Sequence, residues 1–143
     1  MRILFFTLTL FVLASCSTEP KPIQFGSDQC SFCKMNIVDS QHAAQTVSPK
    51  GKQFKYDAIE CMLDVIISDE TAQFEHLLVS DYVRPKKMIP AEGAHYLICK
   101  EIKSPMGAYL SAFTSLEEAQ SVQEEHGGEL FDWNGILEKR RAY

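Results

Sequence analysis

The chain has little of what a catalytic or nucleic-acid-binding domain displays. Its 14 Lys and Arg are outnumbered by 19 Asp and Glu, giving a formal net charge of −5 over 143 residues. No basic stripe interleaved with aromatics occurs, which argues against nucleic acid as a partner. The four histidines, His42, His76, His95 and His126, share no metal-ligand spacing. Each reads as a surface or internally satisfied side chain, with His95, after the Glu92–Gly93–Ala94 turn, the best placed of them. A Gly-rich phosphate loop, a Ser–His–Asp arrangement and a metal-hydrolase signature are all missing, so no catalytic machinery is visible. Beyond the first 13 residues no apolar run approaches the roughly 20 residues that span a bilayer.

The N-terminus carries an address. Arg2 is followed by the apolar run Ile3 to Leu13 and then Leu13–Ala14–Ser15–Cys16. A charged start, a short apolar stretch and small residues form a secretory signal peptide, here residues 1–15. The Leu–Ala–Ser–Cys ending resembles the bacterial lipobox, with cleavage before Cys16 and lipidation of its thiol. Ser, not Asp, follows that cysteine; by analogy with enterobacterial sorting this favours the outer membrane, facing the periplasm. Residues 16–29 are polar, with two prolines and a glycine, a composition that reads as a flexible tether.

Five cysteines are present. Lipidation of Cys16 leaves Cys30, Cys33, Cys61 and Cys99. Cys30–Ser31–Phe32–Cys33–Lys34–Met35 puts two thiols and a thioether within six residues. Soft sulfur donors of both kinds together select Cu(I) over hard cations. A redox dithiol has no use for the methionine, and a structural zinc site commonly needs two such pairs. The cluster therefore reads first as a Cu(I) site and second as a redox or disulfide pair. An exported compartment permits disulfides, Cys30–Cys33 or Cys61–Cys99, and spacing does not decide between them. Met106, between Pro105 and Gly107, sits on a turn, a poor place for a core residue. Cys61 and Met62 fall on an apolar helix stripe and read as core, as does Cys99 in its strand. Met88, in the basic linker Arg84 to Pro90, reads as a surface residue.

The pattern along the chain predicts strands at Asn36–Ser48 and Lys52–Tyr56, a helix at Ala58–Ser68 and a strand at Glu75–Val83. A second series follows: strands at Ala91–Lys100 and Ala108–Phe113, a helix from Ser115 ended by Gly127 and Gly128, and a last strand over Glu129–Leu137 with an Asn134–Gly135 turn. Asp57 with Glu60, and Ser115 with Glu118, look like capping boxes. Tyr56, Asp57 and Glu60 stand where they would line the site, although capping accounts for Asp57 and Glu60. The repeated order predicts an α+β domain of tandem ββαβ units with a largely antiparallel sheet. Its halves are residues 30–83 and 91–138, and residues 139–143 form a solvated tail.

These features together resemble the NosL family of lipoprotein copper chaperones. The shared points are the lipobox at Cys16, Cys30–Cys33–Met35 as C-x-x-C-x-M, Tyr56–Asp57 with Glu60–Cys61–Met62–Leu63, and Ser104–Pro105–Met106–Gly107 followed by Ala112–Phe113. The resemblance implies a fold like part of organomercurial lyase, and Cu(I) delivery in the periplasm toward a copper centre of nitrous oxide reductase. It implies docking on an ABC-type membrane complex. It also implies Cys33, Met35 and Met106 as metal ligands, with Cys30 as an alternate. Lys34 departs from the pattern, where many relatives carry Gly.

Overall fold

The computed structural model describes residues 17–143; the predicted signal peptide and Cys16 lie outside the described residues. Strand β1 (Ala44–Val47) turns through Ser48–Gly51 into β2 (Gln53–Tyr56). Helix α1 (Ile59–Ser68) then returns the chain, and β3 (His76–Ser80) pairs antiparallel with β1, Ala44 opposite Val79. A short β4 (Met88–Pro90) adds to β3, giving the order β2-β1-β3-β4. The second unit repeats this plan. Strand β5 (His95–Ile98) is central, flanked by β6 (Leu110–Phe113) and, after α2 (Leu116–His126), by β7 (Glu129–Phe131). Helix α3 (Trp133–Arg141) closes the chain.

In each unit the first strand is central and its partners lie before and after the helix, so β2-β1-β3 corresponds to β6-β5-β7. The domain is thus α+β, a tandem of ββαβ units with antiparallel sheets, extended by β4 and α3. The units join where Tyr82 N donates to Ala112 O at 2.8 Å beside the Asp81–Ala112 bridge. Tyr56, Ile59, Met62, Leu63, Tyr96, Leu110 and Ile136 form a core drawn from both units. Leu97, Cys99, Phe113 and Ala119 form a smaller core under α2.

Four expectations are corrected. The first is the tether. From Lys21 the leader is fastened to the sheet: Lys21 N donates to Gln53 Oε1 (3.1 Å), Gln45 Nε2 donates to Lys21 O (2.9 Å) and Lys55 Nζ donates to Pro22 O (2.9 Å). Ile23 is only 8 % exposed. A polar composition reads as unfastened chain, but Gln45 and Lys55 stand opposite each other on one sheet face with Gln53 beside them, and their side chains supply partners for the leader's backbone groups. The second is the last strand. Only Glu129–Phe131 is strand; Asp132 Oδ1 accepts from Gly135 N at 2.7 Å and caps α3, so Asn134–Gly135 lies in a helical first turn. The third is the tail. Its first three residues continue α3, and Arg140 grips Asp64 on α1 with two bonds, Nε–Oδ1 2.6 Å and NH2–Oδ2 2.8 Å. The linker carrying Met88 is likewise partly strand, with Ser80 Oγ donating to Met88 Sδ at 3.4 Å.

Candidate metal centre

The Cys30–Met35 segment is a tight loop. Cys30 N donates to Met35 O (2.8 Å) and Lys34 N to Cys30 O (3.1 Å), with Gln29 bridged to Asn36. Ser31 N donates to Lys55 O at 2.7 Å, which seats the loop on β2. Lys34 holds φ +68°, a left-handed conformation that costs a side-chain-bearing residue energy and glycine almost none. Its Nζ donates to Ser31 O at 2.7 Å, closing the loop on itself. The loop buries Cys30, half-buries Cys33 and leaves Met35 50 % exposed.

The start of α1 completes the cluster. Asp57 and Glu60 were expected to cap this helix, but Ala58 is its N-cap and no side chain caps it. Asp57 instead points into the loop: its Oδ1 accepts from Cys33 Sγ (3.2 Å) and from Cys61 Sγ (3.3 Å). Donor atoms of Cys30, Cys33, Asp57 and Cys61 lie within 4.8 Å of one another. Among the described residues this is the one such group of three or more His, Cys or carboxylate donors. Cys61, expected to be plain core, faces the other thiols; its i+4 spacing from Asp57 places both on one side of the first helical turn, a relation that takes meaning only once the thiol loop folds over it. Burial pushes the Cys33 thiol up to about 11, with hydrogen bonding to Asp57 and Cys30 adding to it against the Met35 N–H. Burial also raises the Cys61 thiol, reinforced by Cys30 and Asp57. Cys33 and Cys61 therefore hold their protons in the apo protein, and a metal ion that binds them displaces protons.

Glu60 ties in the second unit. This buried side chain accepts from Ser104 Oγ at 2.6 Å and from Ala108 N at 3.2 Å through Oε1. Ser104 Oγ in turn accepts from Tyr109 N (2.9 Å), and Gly107 N donates to Ser104 O (3.1 Å). Gly107 (φ +77°) allows the sharp turn. Met106 stands on its tip, 42 % exposed. The turn is thus pinned to the residue adjacent to Cys61.

The NosL family model matches residues 22–140. The chain belongs to the NosL family. A solved structure titled as the copper chaperone NosL from Shewanella denitrificans shares the fold, with a TM-score of 0.70 at 17 % identity, covering 82 % of this chain and 95 % of that one. No curated protein sequence matches the chain significantly.

Other candidates in this NosL-family domain have structural roles. Cys99 lies in the smaller core, donating to His126 O at 3.3 Å. Cys30, Cys33, Cys61 and Cys99 are all free thiols, so neither disulfide pairing is formed. His95 begins β5 and is not in the cluster. His42 joins Asp39 Oδ2 (2.8 Å) to Ser111 Oγ (3.1 Å), a Ser–His–Asp chain the sequence did not reveal. Ser111 has no solvent exposure, so this chain binds the first unit to β6 and offers no nucleophile.

Proposed function

We propose that this NosL-family protein is a Cu(I) chaperone, a carrier and not an enzyme. The observation that carries the reading is the convergence of three thiols and a carboxylate within 4.8 Å of one another, with Cys33 only half-buried; the thiol loop and the turn tied to Glu60 each carry an exposed methionine, Met35 and Met106. Sulfur donors suit Cu(I), and the hard oxygen of Asp57 serves to hold the thiols. Cys33 is the entry ligand, being the half-exposed thiol, with Cys30 and Cys61 behind it. Met35 and Met106 stand at the surface, where a thioether would share the ion with an acceptor during ligand exchange.

A thiol–disulfide oxidoreductase would need a lowered thiol pKa to supply a nucleophilic thiolate. Here Cys33 and Cys61 are both shifted upward, which argues against that use. The lipobox at Cys16 supports attachment to the membrane by lipid, facing the periplasm, with the outer membrane favoured. Family membership supports delivery toward nitrous oxide reductase, with an ABC-type maturation complex as partner.

The test is anaerobic Cu(I) titration against a competing chelator. Wild type should bind one Cu(I), with Cys33→Ser and Met106→Ala each weakening it strongly and Cys99→Ala leaving it unchanged. Wild-type affinity in both of the first two variants would refute the ligand assignment.

A further inference from the structure

The leader does more than connect. It crosses the sheet face that carries Gln45, Gln53 and Lys55, fastened at successive points from the β1–β2 turn toward the start of α1. At its start the backbone of Ser17 touches the β1–β2 turn: a Cβ placed on Gly51 would sit 2.5 Å from Ser17 O. Next, Gln53 Nε2 donates to Glu19 O at 3.2 Å and Lys21 N donates to Gln53 Oε1 at 3.1 Å. Then Lys55 Nζ reaches Pro22 O at 2.9 Å and Asp28 Oδ2 at 2.5 Å, and Ser31 N reaches Lys55 O at 2.7 Å. The leader therefore starts at one pole of the first unit and delivers Cys30 to the other.

The two poles are well separated. From Gly51 to Asp57 the chain advances six residues, about 20 Å at roughly 3.3 Å each. Helix α1 starts at the thiol pole and comes back: after it, Glu75 N donates to Val47 O at 2.7 Å, at the turn end of β1. Its ten residues cover about 15 Å, which agrees. One peptide, about 3.8 Å between Cα atoms, separates Ser17 from Cys16.

We propose that the fastened leader fixes the attitude of the domain on a lipid bilayer, with the β1–β2 turn against the headgroups and the thiol cluster on the far side, about 20 Å above them. This rests on the reading of Cys16 as the lipid-bearing residue. A flexible 14-residue tether over residues 16–29 would instead let the site roam over about 20 Å and meet the bilayer in any orientation. The fixed attitude directs the thiols to partners that stand in the aqueous phase or project well above the membrane. It removes them from the headgroup layer.

The experiment uses the full lipidated chain in phosphatidylcholine vesicles carrying a dansyl-headgroup lipid. In a Trp133→Phe background the chain has no tryptophan. Lys50→Trp then reports from the turn and Phe32→Trp from the thiol loop, both exposed positions. Energy transfer to the headgroups should be several-fold stronger from Lys50→Trp than from Phe32→Trp. Adding Gly51→Val, which forces Ser17 away, should make the two similar. Equal transfer in the parent pair would overturn the fixed attitude while leaving the anchor intact. Failure of the lipidated chain to sediment with vesicles would overturn the anchor, and the attitude with it. An independent readout needs no tryptophan variant: the Lys21 amide should be protected from hydrogen exchange in the wild-type protein. Exchange at the rate of an unstructured peptide would also overturn the proposal.

Discussion

Replacing Glu60 by alanine separates the second unit's contribution to the site from the first without altering a sulfur. Two donors lose their acceptor, Ser104 Oγ and Ala108 N. Bonds to a carboxyl oxygen in a buried setting are worth about 1.5–3 kcal/mol each, or roughly 3–6 kcal/mol together. Glu60 Oε2 has no partner, and removing it recovers about 1–3 kcal/mol of desolvation cost. The expected net loss is about 2–3 kcal/mol of unfolding free energy, read by urea titration. Glu60→Gln keeps an amide oxygen in place and should lose less than half as much. The Met106 turn, released from its anchor, has to be ordered again on metal binding. Fixing about one residue costs 1–2 kcal/mol, roughly a tenfold loss of Cu(I) affinity. A double-mutant cycle with Met106→Ala decides the route. If Glu60 acts through the turn, Glu60→Ala costs nothing further once Met106 is gone. Additive losses, or wild-type Cu(I) affinity in Glu60→Ala, would refute the coupling.

Other outcomes follow from the same geometry. Because the Cys33 thiol sits near 11 instead of its ordinary 9, Cu(I) affinity should climb by about tenfold per pH unit for each proton displaced, and a competition series should show no levelling at pH 9. For stability the sign is opposite: the folded protein holds that proton more tightly than the unfolded chain. Its contribution is therefore present below pH 9 and lost as pH rises through about 11, measurable as a falling Tm of the apo protein. Gly128→Ala should destabilise by about 2 kcal/mol or more in a denaturant melt, since its φ is +109° and a Cβ would strike Ile98 O. Gly127→Ala, strained but with open space around it, should cost only about 1 kcal/mol. Lys34→Gly should leave thermal stability within about 1 kcal/mol of wild type, because the relieved left-handed strain offsets the added chain entropy.

The repeated unit was legible because period-2 and period-3.6 patterns recur in the same order, and α2 announces itself at both ends. Ser115 Oγ accepts from Glu118 N at 3.2 Å, and Gly127 takes a positive φ after His126. Asp57 and Glu60 misled for a physical reason. An acid pair spaced by three satisfies helix donors when it faces the solvent, and serves a site when tertiary packing supplies thiols and a turn instead. Sequence spacing is the same in both cases. Cys61 was hidden similarly, since buried cysteine usually just fills space and only the Cys30–Met35 loop folding over it makes it a donor. In Leu130–Leu137 the apolar residues are too few to distinguish a strand from a strand plus one short helix; the Asp132 cap decides it. The leader's fastening depends on side chains 24 to 34 residues away, which composition does not report.

The two helices divide labour unequally. Helix α2 has a serine cap, acidic residues in its first turn and a glycine stop, so its ends are held by its own neighbours. Helix α1 has no side-chain cap and no basic residue in its last turn; core burial and the Arg140 clamp hold it in place. Its unclaimed beginning is what frees Asp57 and Glu60 to serve the thiols and the methionine turn. Of the two similar units, one has a helix held by its own ends, and the other has a helix that depends on the rest of the molecule. Grafting the thiol loop onto the second copy would accordingly fail, because there the helix keeps its polar entrance for itself.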